Sequence, residues 1–129
     1  MLAAASFALF LIGCGGSGPS RYELKGKVTF GGLPVKAGTI YFDPDTSKGN
    51  SGPQASGPIR DGEYKTNPNF GVIGGPHIVR IIGYDGKRPD GPEGEMLPHG
   101  RVLFSEYQTV KDIPKGAASV DFDVPPTGK

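Results

Sequence analysis

Residues 22–30 read YELKGKVTF, and apolar and polar side chains alternate along them. Four apolar side chains share one face of this segment: Tyr22, Leu24, Val28 and Phe30. A period of two with aromatic and β-branched residues predicts a strand that buries one face in a core. Gly26 falls on the inner face, where the missing side chain predicts a bulge or the close approach of another backbone segment.

Similar patterns along the chain predict an all-β fold. Gly31 to Pro34 reads as a turn, and Asp61-Gly62 is a strong signal for a tight hairpin. Further strands are predicted at 39–42, 59–60, 63–66, 77–84, 102–104, 107–110 and 118–124. Loops are predicted between them, the longest at 44–57 and 85–100. No helical period of useful length follows residue 20, so we expect a β-sandwich of about seven short strands.

Composition narrows the class of protein. The 129 residues suit one domain, and the 22 glycines and 13 prolines are read as turns because 12 Tyr and Phe residues lie within alternating runs. Fourteen Lys and Arg against 13 Asp and Glu leave a net charge of +1 without a basic block, so we expect no nucleic-acid partner. A single cysteine excludes an intrachain disulfide.

The first residues of the sequence have the pattern of an export signal. Residues 1–12, MLAAASFALFLI, hold no charge, and about 12 apolar residues are too few to span a bilayer of about 30 Å. Their length is typical of a signal-peptide core. The next residues complete Leu11-Ile12-Gly13-Cys14, which resembles the bacterial lipobox. That resemblance implies a diacylglyceryl group on the Cys14 sulfur and cleavage after Gly13. The alternative is a buried apolar strand with an inert cysteine.

This reading divides the chain into a signal peptide at 1–13, a lipidated tether at 14–20 and a folded domain at 21–129. Residues 15–20, GGSGPS, form a flexible tether with an r.m.s. reach of about 13 Å. We therefore expect a lipoprotein of the cell envelope. The residue directly after Cys14 is not acidic, which by resemblance to known lipoproteins favours the outer over the inner membrane.

A family resemblance covers roughly residues 22–84. It rests on GKV at 26–28, GLPV at 32–35, GTIYF at 38–42, DGEY at 61–64 and GPHIVRI at 75–81. Together these turn and core motifs resemble a carboxypeptidase regulatory-like domain. The resemblance implies a transthyretin-like, or prealbumin-type, sandwich. It implies nothing about an activity, because such folds carry many functions.

Candidate metal ligands lack a recognisable spacing. A copper or zinc site could combine His77, His99 and Met96, but strand-end or surface histidines are the favoured interpretation. Calcium could bind the loop acids, which we instead read as solvated charges because no EF-hand spacing is present. These acids are Asp43, Asp45, Asp85, Asp90, Glu93 and Glu95. We predict no metal and no cofactor.

Catalytic and phosphate-binding motifs are also missing. Residues 71–75, GVIGG, lack the Gly-Lys-Ser/Thr of a phosphate loop, and a strand is predicted after them. Ser47, Ser51 and Ser56 have no histidine nearby in sequence. Some transthyretin-like proteins are hydroxyisourate hydrolases that end in Tyr-Arg-Gly-Ser, whereas this sequence ends in PPTGK. We predict that the protein is not an enzyme.

The predicted function is therefore a noncatalytic, membrane-anchored lipoprotein module, used mainly for protein interaction. Its expected partners are the membrane, through the lipid, and an envelope protein or glycan. Contacts are expected at strand edges or at the two long loops. A surface-structural role is the first alternative, and a metal-binding or hydrolytic protein is the second.

Overall fold

The computed structural model describes residues 20–67 and 69–126. Cys14, Gly13 and the predicted signal peptide lie outside these residues. The described chain contains nine strands, a 3-10 turn at Thr46–Lys48 and one short helix, α1, at Pro92–Met96. The strands are β1 Leu24–Phe30, β2 Leu33–Pro34, β3 Ala37–Pro44, β4 Ala55–Arg60, β5 Glu63–Lys65, β6 Gly75–Tyr84, β7 Tyr107–Ile113, β8 Ala118–Ser119 and β9 Phe122–Val124.

All nine strands belong to one curled sheet, in the order β2-β1-β5-β4-β3-β6-β7. Neighbours in this path are antiparallel, whereas β8 and β9 run parallel to β1 along its other side. The predicted all-β class is confirmed. Within the described residues, no helix has the length and hydropathy that a membrane crossing requires.

The alternation in residues 22–30 is confirmed. Leu24 and Val28 are fully buried, whereas Lys25 and Lys27 are exposed. A Cβ added at Gly26 would lie 2.0 Å from the carbonyl oxygen of Val120. The predicted close backbone approach is therefore present, and it occurs where the chain passes between β8 and β9.

Two tight turns fix the registers of neighbouring strands. Asp61 and Gly62 both adopt positive φ, at 50° and 81°, as a type I′ hairpin requires. The turn aligns Arg60 with Glu63, so the predicted hairpin is confirmed. A second two-residue turn follows β1 and aligns Phe30 with Leu33.

The core lies on the inner face of the curled sheet. Its centre holds three tilted rings, Phe42, Tyr64 and Phe122, whose centroids are 5.8–6.1 Å apart. The Tyr64 hydroxyl donates a hydrogen bond to the carbonyl of Val120 at 2.6 Å. Burial raises the pKa of Tyr64, so this hydroxyl keeps its proton and remains a donor.

Several boundary predictions were wrong. The loop predicted at 44–57 contains a 3-10 turn and the first residues of β4, which starts at Ala55 and pairs with β3. The loop predicted at 85–100 contains α1. Residues 102–104 form only an isolated bridge, Tyr84 to Val102, and the strand predicted at 107–110 extends to Ile113. β4 and β7 are longer than predicted because they pair with β3 and β6, and this pairing outweighs the local sequence signal.

Candidate functional site

An open groove of about 620 Å³ lies on the solvent face of β1, β4 and β5, beside β8. Successive side chains of a strand point to opposite faces of the sheet, so the residues next to those in the core point into this groove. We call it the cationic groove. Its charged residues are Lys25, Lys27, Arg60, Lys65, Glu63 and Asp121.

Strand register brings like charges together in this groove. Lys25 lies directly opposite Lys65 on β5, an arrangement that opposes folding. Lys65 has a carboxylate nearby, with its Nζ 3.5 Å from Glu23 Oε2. Among residues 20–67 and 69–126, Lys25, Lys27 and Arg60 form no salt bridge. These three side chains are therefore not fixed to a carboxylate within the described residues.

The acids of the groove do not cancel this charge. Asp121 Oδ1 accepts a hydrogen bond from the backbone N–H of Lys27 at 2.8 Å, so it closes the gap between β8 and β9. Glu63 faces Lys27 on one side and Arg60 on the other. Four cations against two carboxylates leave an excess positive charge, which suits an anionic partner.

A recess of about 290 Å³ extends the groove across β3 to the end of β6. The two share Pro58 and Arg60. At its far side the rings of Tyr84 and His99 lie 6.0 Å apart and are tilted by 38°. The groove thus continues from cations to aromatic surface, a combination typical of recognition surfaces.

The two histidines lie near opposite ends of β6. His77 is 1% exposed on the inner face, and its Nδ1–H donates to the carbonyl of Gly75 at 2.8 Å. Its buried Nε2 has no partner among the described residues. His99 packs on Tyr84, seven strand positions from His77, or about 23 Å. The structure therefore does not bring His77, His99 and Met96 together.

The acidic residues of the loops each bind a different partner within the protein. Asp45 caps the 3-10 turn by accepting from the Ser47 N–H, and Asp85 accepts from the N–H groups of Lys87 and Arg101. Glu93 forms a salt bridge with Arg101 at 2.6 Å. Within the described part of the chain, no three His, Cys, Asp or Glu residues could hold a metal ion together.

The remaining sequence candidates fit turns and strands. The glycine-rich segment 71–75 leads into β6, a strand as predicted. A Cβ at Gly71 would lie 2.1 Å from the carbonyl oxygen of Tyr22, so the glycine permits close packing. Ser47 hydrogen bonds to Asp45, and Ser56 lies within β4 opposite Tyr41. Cys14 and Gly13 lie outside the described residues.

A polar network on the outer face of β3 and β6 was missed from the sequence. Arg80 Nε donates to Asp43 Oδ2 at 2.7 Å, and its guanidinium carbon lies 4.8 Å from the centre of the Tyr41 ring. Arg80 Nη1 is 3.8 Å from Glu106, and Gln54 also donates to Asp43. Only the β3–β6 register, which pairs Tyr41 with Arg80, could reveal this network.

The Asp43 carboxylate should make stability depend on acid pH. Burial raises the pKa of Asp43, but the hydrogen bonds from Arg80 and Gln54 lower it by more than that, so the pKa lies below the ordinary 3.8. Because the pKa of Asp43 is lower in the folded than in the unfolded chain, its ionised carboxylate stabilises the fold at any pH above the unfolded pKa. This stabilisation is lost as the pH falls through the folded pKa. We expect Asp43→Asn to lower the unfolding free energy by about 1 kcal/mol at pH 7, because the pair is partly exposed.

Urea unfolding of the parent and Asp43→Asn at pH 7, 5 and 2 measures this effect. The difference between them should shrink towards pH 2. Glu106→Gln is the matched control, since its 3.8 Å contact with Arg80 is longer and its effect should be smaller. An equal deficit for Asp43→Asn at pH 7 and pH 2 would contradict the ionic account.

Comparison of the chain with protein-family models, curated proteins and solved structures gave no match.

Proposed function

We propose that this chain is a noncatalytic lipoprotein module of the bacterial cell envelope. Lipid on Cys14 holds it at a membrane, the outer one by preference, and the folded domain binds an envelope partner, a protein in the first instance. The observation that carries the binding role is the cationic groove, in which Lys25, Lys27 and Arg60 have no salt bridge among the described residues.

We further propose that the domain is transthyretin-like, of the carboxypeptidase regulatory-like kind. The curled all-β sheet, the Asp61-Gly62 hairpin and the entry into β6 through Gly75 and Pro76 support this assignment. The hairpin and the entry into β6 coincide with motifs that carry the sequence resemblance, DGEY at 61–64 and GPHIVRI at 75–81. The groove lies on the solvent face of β1, β5 and β4, where a partner can reach it.

The chemistry of the groove favours binding over turnover. Nucleophilic catalysis needs a nucleophile within hydrogen-bond reach of a base, which a third group orients. The groove is instead lined by long cationic side chains together with Ser119 and Pro58. Several long cations in one open groove can engage carboxylates or phosphates.

Crosslinking in living cells tests the proposal. The tagged chain is compared with Cys14→Ala and with a groove variant carrying Lys25→Glu, Lys27→Glu and Arg60→Glu. A matched variant reverses Lys48, Lys87 and Lys111, which are exposed and lie outside the groove. Both variants change the net charge equally, so they separate a local contact from general electrostatics.

We expect one envelope protein to be captured by the parent and by the matched variant. Capture should fall about tenfold or more for the groove variant, since three interfacial cations contribute roughly 0.5 kcal/mol or more each. It should also be lost for Cys14→Ala. Capture of the chain by itself alone would favour a surface-structural role. Equal loss for both charge variants would contradict a specific groove.

A further inference from the structure

A large aromatic side chain is exposed at one end of the domain. Phe70 is 55% exposed in the turn that follows β5, and its backbone N–H donates to the carbonyl of Asn67 at 2.9 Å. Its ring is absent from the buried core. Single exposed apolar residues are common on protein surfaces, so the case for Phe70 depends on what lies beside it.

Arg21 joins this ring to the start of the folded domain. Its guanidinium carbon lies 5.3 Å from the centre of the Phe70 ring. Its Nε donates to Gly71 at 3.1 Å and its Nη2 to the carbonyl of Gln54 at 3.0 Å. Within residues 20–67 and 69–126, Arg21 forms no salt bridge, so its positive charge has no compensating carboxylate. We call Arg21, Gln54, Phe70 and Gly71 the tether tip.

The tether tip lies where the folded domain begins, directly after the predicted tether at 14–20. Tyr22 and Val72 exchange two backbone hydrogen bonds, of 2.7 and 2.9 Å, which fix the incoming chain against the Phe70 turn. Only seven positions separate Arg21 from Cys14. The six-residue tether reaches about 13 Å, whereas the polar region of one leaflet is about 6–7 Å deep. The tip is therefore held within reach of the headgroups.

We propose that the tether tip sits in the membrane interface, with the Phe70 ring among the upper acyl chains and Arg21 against lipid phosphates. This inference rests on the proposed lipidation of Cys14. Phenylalanine rings insert at the boundary between headgroups and acyl chains in interfacial segments. Arginine keeps its stem on apolar surface while its charged head reaches the lipid phosphates. A second membrane contact beside the lipid orients the domain, and so directs the cationic groove.

The opposite end of the domain provides an internal control. Met96 in α1 is 82% exposed and lies beyond the far end of β6, a strand of ten residues or about 30 Å. It is more exposed than Phe70 and is also apolar, but it lies far from the start of the folded domain. A domain that turns freely on its tether would bring both ends to the membrane in turn.

Tryptophan fluorescence tests the proposal, because the chain contains no tryptophan. Phe70→Trp and Met96→Trp each introduce one indole at an exposed position. Both full-length proteins are purified from membranes, and mass spectrometry of the N-terminal peptide reports the lipid on Cys14. They are then reconstituted into vesicles of phosphatidylethanolamine and phosphatidylglycerol, with and without lipid brominated in the upper acyl chain.

We expect the F70W emission to shift to the blue on vesicles and to be quenched by the brominated lipid, while the M96W emission changes little. A lipidated F70W protein whose emission is neither shifted nor quenched would overturn the inference and leave the proposed function standing. Equal quenching at both positions would also overturn it, since the domain would then have no fixed orientation. An unmodified Cys14 would overturn the proposed anchoring and this inference together.

Discussion

Gly26→Val is expected to destabilise the domain by about 3 kcal/mol, enough to unfold much of a marginally stable protein. Even a Cβ at this position would lie 2.0 Å from the carbonyl oxygen and 2.6 Å from the carbonyl carbon of Val120. Both are backbone atoms, so relief requires the β8–β9 segment to move away from β1. That movement would break the parallel pairing and the Tyr64 hydrogen bond to Val120.

Urea unfolding followed by circular dichroism measures the effect, with Gly116→Ala as the matched control. A Cβ at Gly116 meets no atom within 4 Å. That substitution should change the free energy of unfolding by less than about 1 kcal/mol. The expected direction is an increase, because alanine restricts the unfolded chain more than glycine does. If Gly26→Val unfolds at the same urea concentration as the parent, the close packing of Val120 over β1 is contradicted.

Phe42→Ala is expected to lower the free energy of unfolding by about 3–5 kcal/mol. Phe42 is fully buried and is the largest fully buried side chain in the described residues. It packs between Tyr64 and Phe122, so its removal leaves a cavity that reaches β5 and β9. The loss combines the lost transfer free energy of the ring with the cost of that cavity.

Leu33→Ala is the control for this substitution. Leu33 is 72% exposed in β2, so truncating it should cost less than about 0.5 kcal/mol. The same unfolding measurement compares both variants with the parent. A small loss for Phe42→Ala, comparable with that for Leu33→Ala, would show that the three rings do not form the centre of the core.

Local patterns in the sequence were sufficient to predict the all-β class and several turns. The alternation around Leu24 and Val28 predicted which face of β1 is buried, and Asp61-Gly62 predicted the β4–β5 hairpin. Gly26 predicted a bulge or a close backbone approach, but nothing in the sequence identified Val120 as the neighbour. These features could be read directly because period two and positive φ are properties of a few consecutive residues.

The beginning of β4 could not be read in this way. Gly57 and Pro58 both discourage strand assignment, yet they lie opposite Ile40 and Thr39 in a continuous ladder. A Cβ at Gly57 would lie 2.3 Å from the carbonyl oxygen of Lys65, so its lack of a side chain serves packing rather than a turn. The strand forms because its neighbours supply the pairing that its own residues do not favour.

The candidate sites show the same division. Sequence alone determined the all-β class and the strand alternation, because each depends on neighbours along the chain, and the lipidation of Cys14 stays a prediction from the same kind of local pattern. Tertiary structure alone decided that Lys25, Arg60 and Lys65 share one groove and that Arg21 covers Phe70. Those groups lie 5 to 49 positions apart in the chain, and they meet only because strand register and long-range hydrogen bonds align them.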